Sequence, residues 1–278
     1  VGAVIASDES ERLSRFFLFL RAEMERRRKL LGDSGAASLQ EFRRITGNAE
    51  PAIVVVVDNF KTLYSVIEED EAQVDTLARL AQDGMGLGMH FVLTATNASG
   101  IRFNISGNIM LAIALQQVDA SEYANLVGRT DGLLPEALPG RGLVRHKPVL
   151  ECQLALPAAG ETDAERNAVL RATIEAMAAA WIGPRARPIG VLPAIVDLAP
   201  LLQAETRPGS AAAVPIGLHV DDLSPLYMAL DDGPHFLVTG PSQSGKSALL
   251  TTWATALAAR YALDELNLYI IESPRQSL

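Results

Sequence analysis

The sequence has little cysteine, no excess of positive charge and no long apolar run. Its single cysteine, Cys152, excludes an intrachain disulfide and fits a reducing compartment. It reads as a small residue within a strand. The formal net charge of −9 argues against a sheath of nucleic-acid contacts, which needs clustered Lys and Arg to neutralise phosphates. A local basic strip stays compatible with that balance. No apolar run approaches the roughly 20 residues that span a bilayer. Val1 is not an initiator methionine and no signal-peptide pattern is visible, so any anchor of the parent protein is expected outside this sequence. No repeat recurs at solenoid periods. The four histidines lack metal-ligand spacing; His90 and His235 each open an expected strand and read as structural.

What is present is globular. Hydrophobic residues make up 49% of 278 and charged residues 21%, enough for a sizeable core in one large or two small domains. Ala3–Ala6 reads as a short strand. Ser7-Asp8 offers N-cap chemistry to a long helix through about Leu31, with Leu13, Phe16, Phe17, Leu20 and Met24 on one face. Arg26-Arg27-Arg28-Lys29 is expected to close that helix as a solvated tail matched to its dipole, rather than as a nucleic-acid patch. Ser38–Ile45 and residues 69–83 read as helices. Ile53–Val57 is a continuous β-branched run, as in a parallel strand covered on both faces. His90–Ala95 and Ile109–Leu115 are further strands, and Leu143–His146 with Val149–Leu154 a hairpin around Lys147-Pro148. Thr162–Trp181 is an Ala-rich helix that Gly183-Pro184 stops. The proline-rich stretch 183–215 reads as a connector. His235–Thr239, 245–261 and Leu266–Ile271 then form an expected strand–loop–helix–strand unit.

The chemistry lies in that last unit. Gly240-Pro241-Ser242-Gln243-Ser244-Gly245-Lys246-Ser247 fits G-x-x-x-x-G-K-[ST] without mismatch. An apolar run leads into it and an Ala/Leu-rich helix leaves it, which is the context a phosphate-binding loop requires. Backbone N–H groups and the helix N-terminus would face a triphosphate, Lys246 would reach its β- and γ-phosphates, and Ser247 would bind Mg²⁺. ATP and Mg²⁺ are the cofactors this motif implies.

Such ATPases also need a carboxylate at the end of a second buried strand, and Asp58 is the strong candidate. It would hold Mg²⁺, usually through water; a plain strand-ending cap is the alternative. Asp58 precedes the loop in sequence, an inverted order. The chain is therefore expected to hold the back half of one ATPase domain followed by the front half of the next. Asn59 stands where many P-loop ATPases carry a Glu base. An amide can orient water but cannot take its proton, and a lost base costs roughly 10²–10⁴ in rate. Thr96 and Asn97 are candidate γ-phosphate sensors or turn caps. Arg102 and Arg141 are candidate trans-acting arginines, or surface and salt-bridged residues. Glu272, after the last expected strand, faces the crevice or solvent.

Gly2–Ile5, Glu23-Met24-Glu25-Arg26-Arg27, Ser38-Leu39-Gln40-Glu41-Phe42, Ile53–Asp58, Leu77-Ala78-Arg79-Leu80, Leu87–Leu93 and Pro139-Gly140-Arg141-Gly142 together resemble the FtsK/SpoIIIE ATPase family. Pro188–Pro193, Pro215–Leu218 and Pro234–Gly240 resemble the joint between consecutive ATPase domains of type VII (ESX-type) secretion motors, the EccC/EssC group. The resemblance covers nearly the whole chain. It implies an α/β P-loop NTPase fold, RecA-like, with a mostly parallel sheet flanked by helices. Residues 1–160 would be the C-terminal half of one FtsK-like domain, 161–230 a helix and linker, and 231–278 the N-terminal half of the next. The resemblance implies a motor at the cytoplasmic face of the cell membrane that exports small helical-hairpin proteins. Its partners would be those clients, other ATPase domains or subunits of the motor, and the membrane secretion complex. Asn59, and Thr96 or Asn97 in place of a sensor Gln, depart from the family pattern and put catalysis by the earlier domain in question. A DNA translocase of the same fold and a nucleotide-sensing or client-binding module are the alternative readings. A permuted arrangement, in which the two halves dock on one another, is also open.

Overall fold

The computed structural model describes residues 2–97, 100–101, 103–203, 213–262 and 264–271. The chain divides into two units, Val1–Pro188 and Ile189–Leu278.

The first unit is organised by α1 (Ser10–Ser34). Leu13, Phe17, Leu20, Met24, Arg27 and Leu31 recur at alternating four- and three-residue steps and are all buried. That is the stripe an amphipathic helix turns towards a core. Glu9, rather than Ser7 or Asp8, takes the N-cap position; its carboxylate accepts from the Ala6 N–H. After α2 (Leu39–Thr46), capped by Ser38 accepting from the Glu41 N–H, come β1 (Ile53–Val57), α3 (Phe60–Ile67), α4 (Glu71–Leu87) and β2 (Met89–Leu93). Asp70 caps α4 by accepting from the Ala72 and Gln73 N–H groups. Gly88 ends it at φ +67°, where a Cβ would lie 2.1 Å from Leu39 Cδ2, so only glycine lets the chain reverse here into β2.

β1 and β2 pair in parallel, from Ile53 opposite Met89 to Val57 opposite Leu93. Val55, Val57 and Met89 are buried in one core with the apolar faces of α1 and α4. The alternate residues Val54 (58% exposed), Val56 (68%) and Val92 (51%) stay open. The run was expected to be covered on both faces. Among the described residues it is covered on one.

The basic run is also placed differently from expectation. α1 continues to Ser34, so Arg26–Lys29 lie inside the helix. Arg27 is 1% exposed. Its guanidinium donates to the Leu87 carbonyl at 2.8 Å, the Pro51 carbonyl at 2.7 Å and Glu23 Oε1 at 2.7 Å. It thereby ties α1 to the start of β1 and the end of α4. Arg26 pairs with Glu23 and Glu50, and Arg28 with Glu25 and Asp83. The three arginines form an ion-pair network rather than a solvated tail, while Lys29 stays exposed. Burial opposes the charge on Glu23, but hydrogen bonds from Arg26 and Arg27 outweigh it and hold the carboxyl below its ordinary pKa.

Beyond α5 (Phe103–Ser106), β3 (Ile113–Leu115), β4 (Arg141–Val144) and β5 (Leu150–Gln153) form an antiparallel sheet in that order. With α6 (Ser121–Val127) it builds a smaller core of Ala114, Tyr123, Val127 and Leu143. The expected hairpin around Lys147-Pro148 is β4–β5. The expected opening strand at Ala3–Ala6 does not form. α7 (Asp163–Ala180) begins with a capping box between Thr162 and Glu165, stops before Gly183-Pro184, and buries no residue.

In the second unit the described part of the proline-rich stretch includes α8 (Leu198–Gln203) and the start of β6 (Ala213–Leu218). β6 pairs antiparallel with β7 (Pro225–Ala229), with an irregularity at Pro215/Gly217, where proline's missing N–H is tolerated. Val214 packs with Ala256 and Leu257 of α9 (Lys246–Arg260). His235–Thr239 and Leu266–Ile271 are not laddered into strands, although Phe236 packs edge-on against Trp253 at 5.5 Å. A strand exists only where its backbone pairs with a neighbouring strand, and among the described residues neither segment has such a partner.

Candidate functional site

Two regions carry the candidate residues. The first is the turn that follows β1. Parallel pairing brings the carboxyl ends of β1 and β2 together, and Asp58 and Thr94 are the residues that follow the last pair, Val57 and Leu93. Thr94 N–H donates to the Val57 carbonyl at 2.9 Å, and Phe60 N–H donates to the Thr94 carbonyl at 2.8 Å. Asn59 N–H donates to Thr94 Oγ1 at 2.8 Å, and Thr94 Oγ1 donates to Asp58 Oδ1 at 2.6 Å. Asn59 is the N-cap of α3 and sits in the left-handed region at φ 60°, ψ 75°. Asn tolerates that region far better than Glu, so the residue type has a backbone reason besides any chemical one. Asp58 and Asn59 are exposed, at the strand end where open α/β sheets bind ligands.

The second region is the loop that opens α9. Gln243 and Gly245 adopt positive φ, +63° and +91°. Ser244 N–H donates back to the Pro241 carbonyl at 3.3 Å. A Cβ on Gly240 would lie 2.4 Å from Ser244 Oγ, so the loop closes tightly over its first residue. Lys246 Nζ donates to the carbonyls of Gly240 at 2.9 Å and Pro241 at 2.6 Å. Its ammonium is thus held against the start of the loop, and the side chain is only half-buried. Gly245 precedes the first turn of α9, and Ser247 is exposed in that turn. This cradle suits a bound phosphate chain: a wrapped backbone, a helix N-terminus behind it and one cation. Ser247 offers the hydroxyl a Mg²⁺ ion would need.

The remaining candidates are dispersed. Arg141 lies on β4, half-buried, with Glu136 and Glu151 carboxylates 3.6 and 3.7 Å from its guanidinium. Thr96 and Asn97 are exposed in the turn after β2, and Asn97 Oδ1 accepts from the Gly100 N–H at 3.0 Å. Arg102 and Glu272 lie outside the described residues. Among the described residues no cluster of His, Cys, Asp and Glu could by itself hold a metal ion. Sequence reasoning passed over Thr94. Its only local sign is that it is the first polar residue after Phe91-Val92-Leu93, as Asp58 is after Ile53–Val57; the β1–β2 register is what brings the two together.

The glycine-rich loop at the head of α9 and the carboxylate-ended parallel pair belong to the P-loop ATPase fold. Comparison with known proteins narrows the class. The FtsK/SpoIIIE family matches residues 198–274. The chain is 32% identical over 287 residues to the ESX secretion system protein EccC of Thermomonospora curvata, covering all of this chain and 21% of that relative. Among solved structures it matches EssC (ATPases 2 and 3) from Geobacillus thermodenitrificans with a TM-score of 0.78 at 27% identity, covering 91% of this chain and 48% of that one. It also matches Thermomonospora curvata EccC (ATPases 2 and 3) in complex with a signal sequence peptide, with a TM-score of 0.64 at 30% identity, covering 94% of this chain and 47% of that one. The chain carries an FtsK/SpoIIIE domain, and its homologues are type VII secretion ATPases of the EccC/EssC group. It spans about a fifth of the length of the curated relative from Thermomonospora curvata.

Proposed function

We propose that the chain is the joint between two consecutive ATPase domains of a type VII secretion motor. Residues 1–160 form the C-terminal half of the earlier domain, 161–230 the helix and linker, and 231–278 the N-terminal half of the later one. The observation that carries this reading is the loop Gly240–Ser247, closed over Gly240 with the Lys246 ammonium bound to its own carbonyls at the head of α9. Gly240, Pro241, Ser242, Gln243, Ser244, Gly245, Lys246 and Ser247 hold ATP, and Ser247 holds its Mg²⁺. Asp58 holds the metal of a second site, in the earlier domain, completed by residues outside this chain. The metal's contribution is to neutralise phosphate charge; the chain's own contribution is to grip and position the phosphates.

The motor works at the cytoplasmic face of a membrane, within a secretion complex, on small helical-hairpin clients. The signal sequence peptide bound to the relative from Thermomonospora curvata supports a client that presents a signal sequence; the helical-hairpin form is part of the proposal. No helix among the described residues is long and apolar enough to cross a membrane. Against a DNA translocase stands the basic run: Arg26, Arg27 and Arg28 are engaged by Glu23, Glu50, Glu25 and Asp83 rather than presented to phosphates. The test is ATP turnover by the full-length protein, titrated with a client signal peptide and, separately, with duplex DNA. Stimulation by peptide alone is expected. Stimulation by DNA with indifference to peptide overturns the proposal.

A second reading of the earlier domain has its own observation. Asn59 fills the base position with an amide, held in a left-handed conformation. That site then binds nucleotide as a sensor and turns it over slowly.

A further inference from the structure

We infer that Thr94 is a positioning residue for the Asp58 carboxylate, an inference that rests on the metal role proposed for Asp58. The proton count fixes the direction. A threonine hydroxyl has one proton; because Thr94 Oγ1 already accepts from the Asn59 N–H, its own proton goes to Asp58 Oδ1, 2.6 Å away. Asp58 Oδ1 is therefore the acceptor of this bond, and 2.6 Å lies at the short end of the O–H···O range. Oδ1 takes up the hydroxyl, and Oδ2, with no hydrogen bond among the described residues, would be available to a metal ion or its water. The backbone of Thr94 grips the same turn on both sides, donating to Val57 and accepting from Phe60. The hydroxyl is thus fixed relative to the strand end and in turn fixes the rotamer of Asp58. Groups that hold a ligating side chain in place commonly change metal affinity by about 10–100-fold when removed.

The side chains of Asp58, Asn59 and Thr94 are exposed, so water replaces the lost bonds when the hydroxyl is removed, and the fold is little affected. That separates positioning from stability. The experiment uses the full-length protein with Lys246→Ala silencing the later site, and measures the Mg²⁺ concentration that half-saturates binding of a fluorescent ATP analogue. Thr94→Val is expected to raise it about tenfold, with the melting temperature shifted by no more than about 4 °C. Thr94→Ser, which keeps the hydroxyl, is expected to restore it. In an Asp58→Asn background Thr94→Val should add nothing. If Asp58→Asn raises the Mg²⁺ requirement but Thr94→Val does not, or if Thr94→Ser fails to rescue, the positioning role is wrong and the metal role stands. If Asp58→Asn itself leaves the Mg²⁺ requirement unchanged, the metal role falls and the inference falls with it.

Discussion

The turn after β1 and the loop before α9 are built by opposite means. The Asp58 turn is held from a distance: Thr94, 36 residues along the chain from Asp58, supplies both backbone and side-chain bonds to residues 57–60. The loop is held from within: Lys246 binds carbonyls five and six residues back, and Ser244 binds Pro241. The first depends on strand register and on whatever fixes the two strands. The second needs only its own eight residues and the helix they open. A site of the first kind fails when its support fails, whereas a site of the second kind fails only when its own groups are changed.

The strongest way to break that comparison is at Arg27. Its buried guanidinium is the shared support of β1 and β2, through Pro51 and Leu87. Arg27→Met keeps most of the volume, leaves the Leu87 and Pro51 carbonyls without their donor, and leaves Glu23 with Arg26 alone. Removing one partner of a buried ionic network costs about 3–5 kcal/mol, a fall of about 10 °C in melting temperature for a chain of this size. Lys246→Ala is the converse. The carbonyls it leaves are exposed and rehydrate, so melting should hardly move. Binding of an ATP analogue should weaken about a hundredfold, the upper range for charged hydrogen bonds. Calorimetry and fluorescence titration on both variants separate the two. If Lys246→Ala unfolds the protein, or Arg27→Met melts like the parent, the contrast between local and distant support is wrong.

That contrast also explains what the sequence could reveal. The loop's place at the head of a helix was legible because its glycines, lysine and serine form one contiguous pattern. Asp58 was legible as the end of a β-branched run. Thr94 was not, because its role follows from pairing β1 with β2 in one register, and no local pattern states that register. The basic run misled for a related reason. Arg26–Arg28 look alike in sequence, but only tertiary packing decides that Arg27 is buried against Leu87 and Pro51 while its neighbours pair outwards. The hairpin β6–β7 was hidden by Pro215 and the other prolines, whose local preference for connectors was overridden by packing of Val214 on α9. The flanks of the loop erred the other way. His235–Thr239 and Leu266–Ile271 have strand composition, but composition supplies no partner strand.

Asn59 offers a smaller effect that sharpens the account of the turn. Its left-handed backbone costs most side chains about 1–2 kcal/mol. Asn59→Glu should therefore lower stability by about 1 kcal/mol, whereas Asn59→Gly should change it little. If the amide is a missing base, Asn59→Glu in the full-length protein should also raise ATP turnover at least about tenfold, part of the 10²–10⁴ that a positioned base supplies. The glycine variant, with no carboxylate, should not. Unchanged turnover in a Glu variant that still binds ATP would show that backbone geometry alone accounts for the asparagine.

The smallest effect concerns acid. Burial raises the Glu23 pKa, and the hydrogen bonds from Arg26 and Arg27 lower it by more, leaving it below the ordinary 4.5. A carboxyl whose folded pKa is depressed stabilises the fold fully above its unfolded value. That contribution disappears as pH falls from about 4.5 through the folded value. Stability of the first unit should therefore decline below about pH 4.5, and Glu23→Gln should remove that part of the decline while lowering stability at pH 7. Urea melts of both proteins between pH 7 and pH 3 test this. Parallel curves would mean that Glu23 titrates alike in folded and unfolded chains, and that the Glu23–Arg26–Arg27 cluster supports β1 through geometry rather than charge.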